Sequence, residues 1–222
     1  MTTITEPFLD RAYEERCRAL SKVLLDFLPM GRIHSVVDLG CGSGLIGKEF
    51  EKVGCHVIYI DGREENLAPL EAEGRETICA DVHYPYVALN VDLVLCLGVL
   101  YHSEEPLELL RNCHRMSPTV ALETLCYDLS GVYCLLYKEP VKRTDQSMTG
   151  GGSIATPEWL RRGLTAVGYD EVQDLSSLVP TIERTNQGSG YMYNWRVSGT
   201  GDSYRGDYAL RKLLIAREKE TF

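Results

Sequence analysis

Residues 36–44, Val-Val-Asp-Leu-Gly-Cys-Gly-Ser-Gly, set three glycines on alternate positions directly after a short apolar run. Val36 and Val37 are β-branched and suit a buried strand. Asp38 puts a carboxylate near the end of that strand. Gly40, Gly42 and Gly44 permit positive φ and let the main chain approach a ligand closely, because no Cβ stands in the way. Residues 45–53 read as a helix. A strand, a glycine turn and a helix together make half of a nucleotide-binding unit. Three alternating glycines weaken a helix start, so the turn is expected to serve a ligand.

The rest of the chain alternates in the same manner. Strands are expected at 35–39, 55–60, 76–79, 91–97, 119–125, 171–176 and 208–216, and helices at 45–53, 64–73, 106–115 and 156–167. A first helix over 7–28 carries Phe8, Ala12, Leu20, Val23, Leu24 and Phe27 at helical spacing. This pattern predicts an α/β fold, a mainly parallel sheet covered on both faces, with ligands at the carboxyl ends of its strands. The 222 residues fit one domain, with residues 1–33 as a helical cap. Two segments, 126–155 and 177–207, break the rhythm. Connections of that length often cover sites, so both are expected to close over an acceptor. The other reading is a hairpin that only extends the sheet.

A net charge of −9 disfavours broad, non-specific binding to nucleic acid, which rests on neutralising phosphates. Two local basic groups stand out, Lys138 with Lys142 and Arg143, and Arg161 with Arg162. No run of 18 apolar residues is present, so no membrane span is expected. The first residues have neither a basic region nor an apolar stretch, which predicts a cytoplasmic protein. None of the eight cysteines forms a Cys-x-x-Cys pair, and no histidine pair has zinc spacing. Reduced, buried thiols and no metal are expected, with Cys55, Cys79 and Cys96 in strands.

An acid inside a strand that leads into such a turn resembles motif I of the class I S-adenosylmethionine (SAM) methyltransferases. The same residues contain Gly42-x-Gly44-x-x-Gly47, the dinucleotide fingerprint, so a nicotinamide or flavin cofactor is the rival. Asp38 separates the two, since a carboxylate there suits the cationic amino end of SAM and repels a pyrophosphate. The resemblance assigns Asp38, Gly40, Cys41, Gly42 and Gly44 to the donor site. It implies that Asp61, beside Gly62, accepts the ribose hydroxyls, and that Asp81 accepts the adenine amino group next to Val82. A helix N-cap role competes for either acid. Leu97 should line the donor pocket, and Tyr13 and Arg16 of the first helix should cover it. Tyr101 and His102 follow the fourth strand and should reach the transferred methyl. Tyr101 would hydrogen-bond the acceptor or face the sulfonium. His102 would act as general base or merely hold its loop.

Gly98-Val-Leu-Tyr-His102, Pro106-Leu107, Leu122-Glu123-Thr124-Leu125 and Arg211-Lys-Leu-Leu-Ile-Ala-Arg217 resemble the tRNA wobble-uridine carboxymethyltransferase family. That resemblance implies a sheet order of 3-2-1-4-5-7-6 with the last strand antiparallel, carboxy-SAM as donor and tRNA as partner. It matches Tyr101 to a donor-pocket tyrosine and Arg211 to a carboxylate-binding arginine. Two features depart from the family: only residues 1–33 precede the first strand, and the Tyr- and Gly-rich stretch after 186 has no counterpart. The expectation is therefore ordinary SAM and methyl transfer to an oxygen or nitrogen of a small molecule, held by Tyr191, Tyr193, Trp195 and Arg211. A tRNA-modifying enzyme and a SAM-binding module without turnover are the alternatives.

Overall fold

The computed structural model describes residues 8, 11–83, 89–139, 141, 145–182, 190–192 and 208–219. In chain order these form α1 (Arg11–Phe27), β1 (Ser35–Leu39), α2 (Leu45–Lys52), β2 (His56–Asp61), α3 (Glu64–Ala72), β3 (Glu76–Cys79), β4 (Leu93–Leu97), α4 (Pro106–Met116) and β5 (Thr119–Leu125). Then follow β6 (Cys134–Lys138), β7 (Gly151–Ala155), α5 (Pro157–Val167), β8 (Glu171–Asp174), β9 (Gly190–Met192) and β10 (Tyr208–Arg217).

The main sheet runs β3-β2-β1-β4-β5-β10-β8. β10 lies antiparallel between β5 and β8, while β3, β2, β1, β4 and β5 are mutually parallel. With β6, β7 and β9 set aside, this is the expected order, β8 and β10 being the sixth and seventh strands. An antiparallel strand inserted before the last one departs from the 3-2-1-4-5-6 order of dinucleotide-binding sheets.

Side chains alternate between the two faces of each strand. Val36, Val57, Tyr59, Leu93, Leu95, Leu213 and Ile215 pack on one face with Leu20 and Leu24 of α1 and Phe50 of α2. Val37, Ile58, Ile60, Val94, Cys96, Val120, Leu122 and Leu214 pack on the other with Leu109 and Leu110 of α4 and Leu160 and Leu164 of α5. Both faces are covered, so the central strands read as continuous apolar runs. Each buried aliphatic side chain contributes about 1.5–3 kcal/mol, which makes this double core the main source of stability.

Several boundaries differ from expectation for local reasons. The first helix spans Arg11–Phe27, and Phe8 has a 3-10 conformation. β4 starts at Leu93 because Asp92 turns aside to accept the His34 and Ser35 N–H groups, each at 2.8 Å. Thr156 is the N-cap of α5, accepting the Trp159 N–H, rather than its first residue. Cys79 is exposed, since β3 forms one edge of the sheet, and Cys134 is half-buried; the other six thiols are free and buried.

Segment 126–155 forms the antiparallel pair β6-β7. Within segment 177–207, β9 pairs in parallel with Tyr208–Leu210 of β10, so this portion extends the sheet. Among the described residues no helix is long and apolar enough to cross a membrane.

Candidate functional site

A cleft opens at the carboxyl ends of the parallel strands. It holds about 1220 Å³ of atom-free space, open solvent at its mouth included. Asp38 of β1, Asp61 of β2, Asp81 just after β3 and Leu97 of β4 all line it. Parallel pairing explains this convergence, because Asp38 lies beside Tyr59 and Leu95 in register and each chain leaves the sheet on the same side.

The glycine turn closes one wall. Gly40, Gly42 and Gly44 have φ of 67°, 53° and 68°, the left-handed region that favours glycine. The turn is pinned to β2, with the Gly40 and Cys41 N–H groups both donating to the Ile60 carbonyl at 2.7 and 3.0 Å. Gly40, Cys41 and Gly42 line the cleft. Gly44 does not; it is the N-cap of α2, and a Cβ there would meet Leu70 and Tyr59. Its role is therefore to start the helix, a correction to its assignment to the donor site.

Asp38 and Asp61 are both buried. Asp38 accepts the Gly47 N–H at 3.1 Å. Burial, reinforced by the charge of Asp61 and opposed by that hydrogen bond, pushes its carboxyl up to about 7. Asp61 accepts the Gly42 N–H on one oxygen, and the Arg63 N–H and the Asn66 amide on the other, all at 3.0 Å. Burial raises its pKa too, against the lowering effect of these three donors. Asp61 thus holds the glycine turn and the start of α3 while facing the cleft, so its ligand-facing and turn-forming readings are compatible.

Asp81 uses a single oxygen, Oδ1, for the His83 N–H at 2.9 Å and for His83 Nδ1 at 2.7 Å. His83 Nε2 lies 2.6 Å from the Ser103 hydroxyl. Gly62, Val82 and His83 complete this end of the cleft.

Tyr13 and Arg16 reach the cleft from α1, and Tyr101 and Arg211 from across the sheet. Arg16 lies on the same helical face as Cys17, Leu20 and Leu24 and is buried with them. Its charge is met by Glu123 of β5, whose Oε2 is 2.6 Å from Arg16 Nη2. Arg211 Nη1 binds the same carboxylate at 3.0 and 2.9 Å, and its Nη2 donates to the Tyr101 hydroxyl at 3.1 Å. The Arg211 guanidinium also lies 4.9 Å from the centre of the Tyr101 ring.

His102 ends a 3-10 turn after β4 and lines the cleft beside Tyr101, their rings 4.1 Å apart. Its Nδ1 is 2.6 Å from Glu139 Oε2. Residues 145–149, between β6 and β7, line the same cleft, with the Gln146 carbonyl accepting from Arg63 at 3.3 Å. The contributions of His83, Glu123 and Glu139 carry no sequence signal of the kind that marks Asp61. Tyr191 lies in β9, where only its main chain is described, and Tyr193, Trp195, Lys142 and Arg143 lie outside the described residues.

Comparison with known proteins bears on the fold that carries this cleft. Residues 37–118 match the family model of a methyltransferase domain. The chain superposes on the N-terminal domain of EvdMO1 with S-adenosylhomocysteine (SAH) bound, with a TM-score of 0.65 and 21% identity, covering 93% of this chain and 81% of that one. This is a class I SAM-dependent methyltransferase fold. The methyltransferase fold is shared with the Burkholderia thailandensis 1,6-didemethyltoxoflavin-N1-methyltransferase, solved with 1,6-didemethyltoxoflavin and SAH bound, at a TM-score of 0.61 and 19% identity over 92% of this chain and 79% of that one. In sequence, the domain is 30% identical over 89 residues to the ubiquinone biosynthesis O-methyltransferase of Aliivibrio fischeri. That match spans 36% of this chain and 38% of that enzyme. The same enzyme of Pseudomonas aeruginosa matches at 30% over 89 residues, with the same coverage.

Proposed function

We infer that the protein transfers a methyl group from SAM to an oxygen or nitrogen of a small-molecule acceptor. The observation that carries this reading is the convergence of Asp38, Asp61 and Asp81, from the ends of three neighbouring strands, on one cleft with Tyr101 and His102. SAM, when bound, supplies a methyl already activated by a sulfonium. The residues present fit it. Asp38 offers a buried carboxylate to its ammonium, and Asp61 to its ribose hydroxyls. Asp81 keeps Oδ2 for the adenine amino group, since both of its bonds to His83 fall on Oδ1. Arg16 stands where it can meet the donor's carboxylate.

The chain's own contribution is chiefly orientation. Holding nucleophile and methyl in line can lower a barrier by about 7–11 kcal/mol, so no covalent nucleophile is needed. Tyr101 is fixed by Arg211 as hydrogen-bond acceptor and keeps its own proton to donate. The Arg211 fork is occupied by Glu123 and Tyr101, which favours ordinary SAM over a carboxylated donor. On this reading the 145–149 connection lies over the bound molecules.

The test is SAH release from SAM with a small-molecule extract and, separately, with bulk tRNA. Release with the extract alone is expected. Release with tRNA alone replaces small molecules by a wobble-base acceptor, and tight SAM binding without release in either leaves a sensing module.

Asp38 makes SAM affinity depend on pH. Below about 7 its carboxyl is protonated and must lose that proton to receive an ammonium. Affinity should therefore rise about tenfold between pH 6 and pH 8, with proton release at the lower pH. Calorimetry in two buffers of different ionisation enthalpy measures both. In the absence of donor, the same shift removes stability as pH rises from 3.8 to about 7, because the folded chain retains a proton that the unfolded chain gives up.

A further inference from the structure

We propose that His102 removes a proton from a hydroxyl acceptor and that Glu139 is the positioning residue that makes it able to do so. This rests on the methyl-transfer reading and adds to it the acceptor class and a residue outside the donor site.

His102 commits Nδ1 to Glu139 at 2.6 Å, and its side chain lines the cleft. A carboxylate accepts and cannot donate, so Nδ1 carries a proton, and in the neutral ring Nε2 is left bare. Among the described residues no hydrogen bond occupies Nε2. Glu139 is itself fixed. The Ser147 N–H donates to Oε2 at 2.8 Å, and the Tyr137 hydroxyl lies 3.0 Å from Oε1. Burial opposes its ionisation, yet the bond to His102, the His102 charge and these two donors outweigh it and hold its pKa below the ordinary range. A buried carboxylate held ionised behind an imidazole sets the ring's tautomer and stabilises the imidazolium that forms when Nε2 takes a proton.

In the step, the acceptor oxygen bonds to the methyl carbon while the carbon–sulfur bond breaks and its electron pair stays on sulfur. The hydroxyl proton passes to His102 Nε2. The products are a methyl ether, SAH and an imidazolium paired with Glu139, which returns its proton to solvent between turnovers. Ser147 belongs to the 145–149 connection, so that connection and the base are tied through Glu139.

The experiment has two readouts. The first is the nitrogen NMR spectrum of the His102 ring, assigned by its loss in His102→Gln, with no donor or acceptor added. The wild type should show the Nδ1–H tautomer, Glu139→Ala a mixture of both tautomers, and Glu139→Asp a partial return. An unchanged tautomer in Glu139→Ala overturns the positioning role. The second is SAH release with phenol, catechol and a methyl hexoside, against aniline and benzylamine, and against 4-nitrophenol, which is already ionised at pH 8. Glu139→Ala should lower kcat for the neutral hydroxyls about 10²-fold, leave 4-nitrophenol nearly unaffected and leave KM for SAM unchanged. A raised KM for SAM with equal losses on all acceptors reduces Glu139 to a structural tie and overturns the proposal. So does release with the amines alone, or with none of the panel, by a wild type that binds SAM. A wild type that does not bind SAM overturns the methyl-transfer reading instead, while the tautomer result still stands by itself.

Discussion

Glu123→Gln is expected to destabilise the protein by about 3–5 kcal/mol, the cost of removing one partner from a buried ion pair. Glu123 is fully buried on β5 and receives Arg16 and Arg211, whose side chains are themselves only 5% and 6% exposed. Glutamine preserves the shape but cancels the charge that both guanidiniums face. Two arginines then lie close together in a poorly solvated place. The penalty is a large share of the about 5–15 kcal/mol that a domain of this kind has in total. Urea unfolding measures it directly, and a midpoint shift equivalent to less than about 1 kcal/mol would show that the arginines are stabilised without Glu123. A second effect accompanies the first. Arg211 holds the Tyr101 hydroxyl, so the variant should also lose acceptor turnover under conditions where it is still folded.

Asp61→Ala should abolish measurable SAM binding, a loss of at least about 100-fold, or near 3 kcal/mol. The carboxylate faces the cleft and at the same time holds three donors, the Gly42 and Arg63 N–H groups and the Asn66 amide. Alanine removes the acceptor for the ribose and releases the glycine turn from β2 on one side. Each stranded donor costs about 1–3 kcal/mol where water cannot reach it, and the open cleft keeps these at the lower end. A modest fall in melting temperature is expected alongside the lost affinity. Asp61→Asn separates the two effects. Its amide oxygen can still take Arg63 and Asn66, so the fold should recover while its NH2 group meets the Gly42 N–H donor to donor. Calorimetry with SAM on the folded Asp61→Asn protein is the decisive measurement, and unaltered affinity there would remove Asp61 from the donor site.

Asp38, Asp61 and Asp81 are legible in the sequence because each closes or follows an apolar run. A parallel sheet carries every such position to the same edge. The glycines at 40, 42 and 44 are legible because positive φ leaves few other choices. Gly44 shows the limit of that reasoning, since the same backbone freedom serves a helix start with no access to the cleft. Glu123 sits in a strand buried on both faces, where an acid demands a cation, but the strand does not say which cation. His83 stands two residues after Asp81 and escapes notice because one of its two ring bonds goes to Ser103, which a different element supplies.

What the amino-acid order determined by itself is local and periodic: which segments are strands and helices, that both faces of the sheet are covered, and that a glycine turn with acids beside it stands at the carboxyl edge. Packing alone decided which charges meet. Arg16 and Glu123 are 107 residues apart and come together because α1 packs on the sheet face that Ala121 shares, and His102 and Glu139, 37 apart, because the β6-β7 pair packs against the turn that follows β4. Such pairings leave no periodic trace, since a buried charge is satisfied by any element that brings its opposite within about 3 Å, and chain distance places no constraint on which one does.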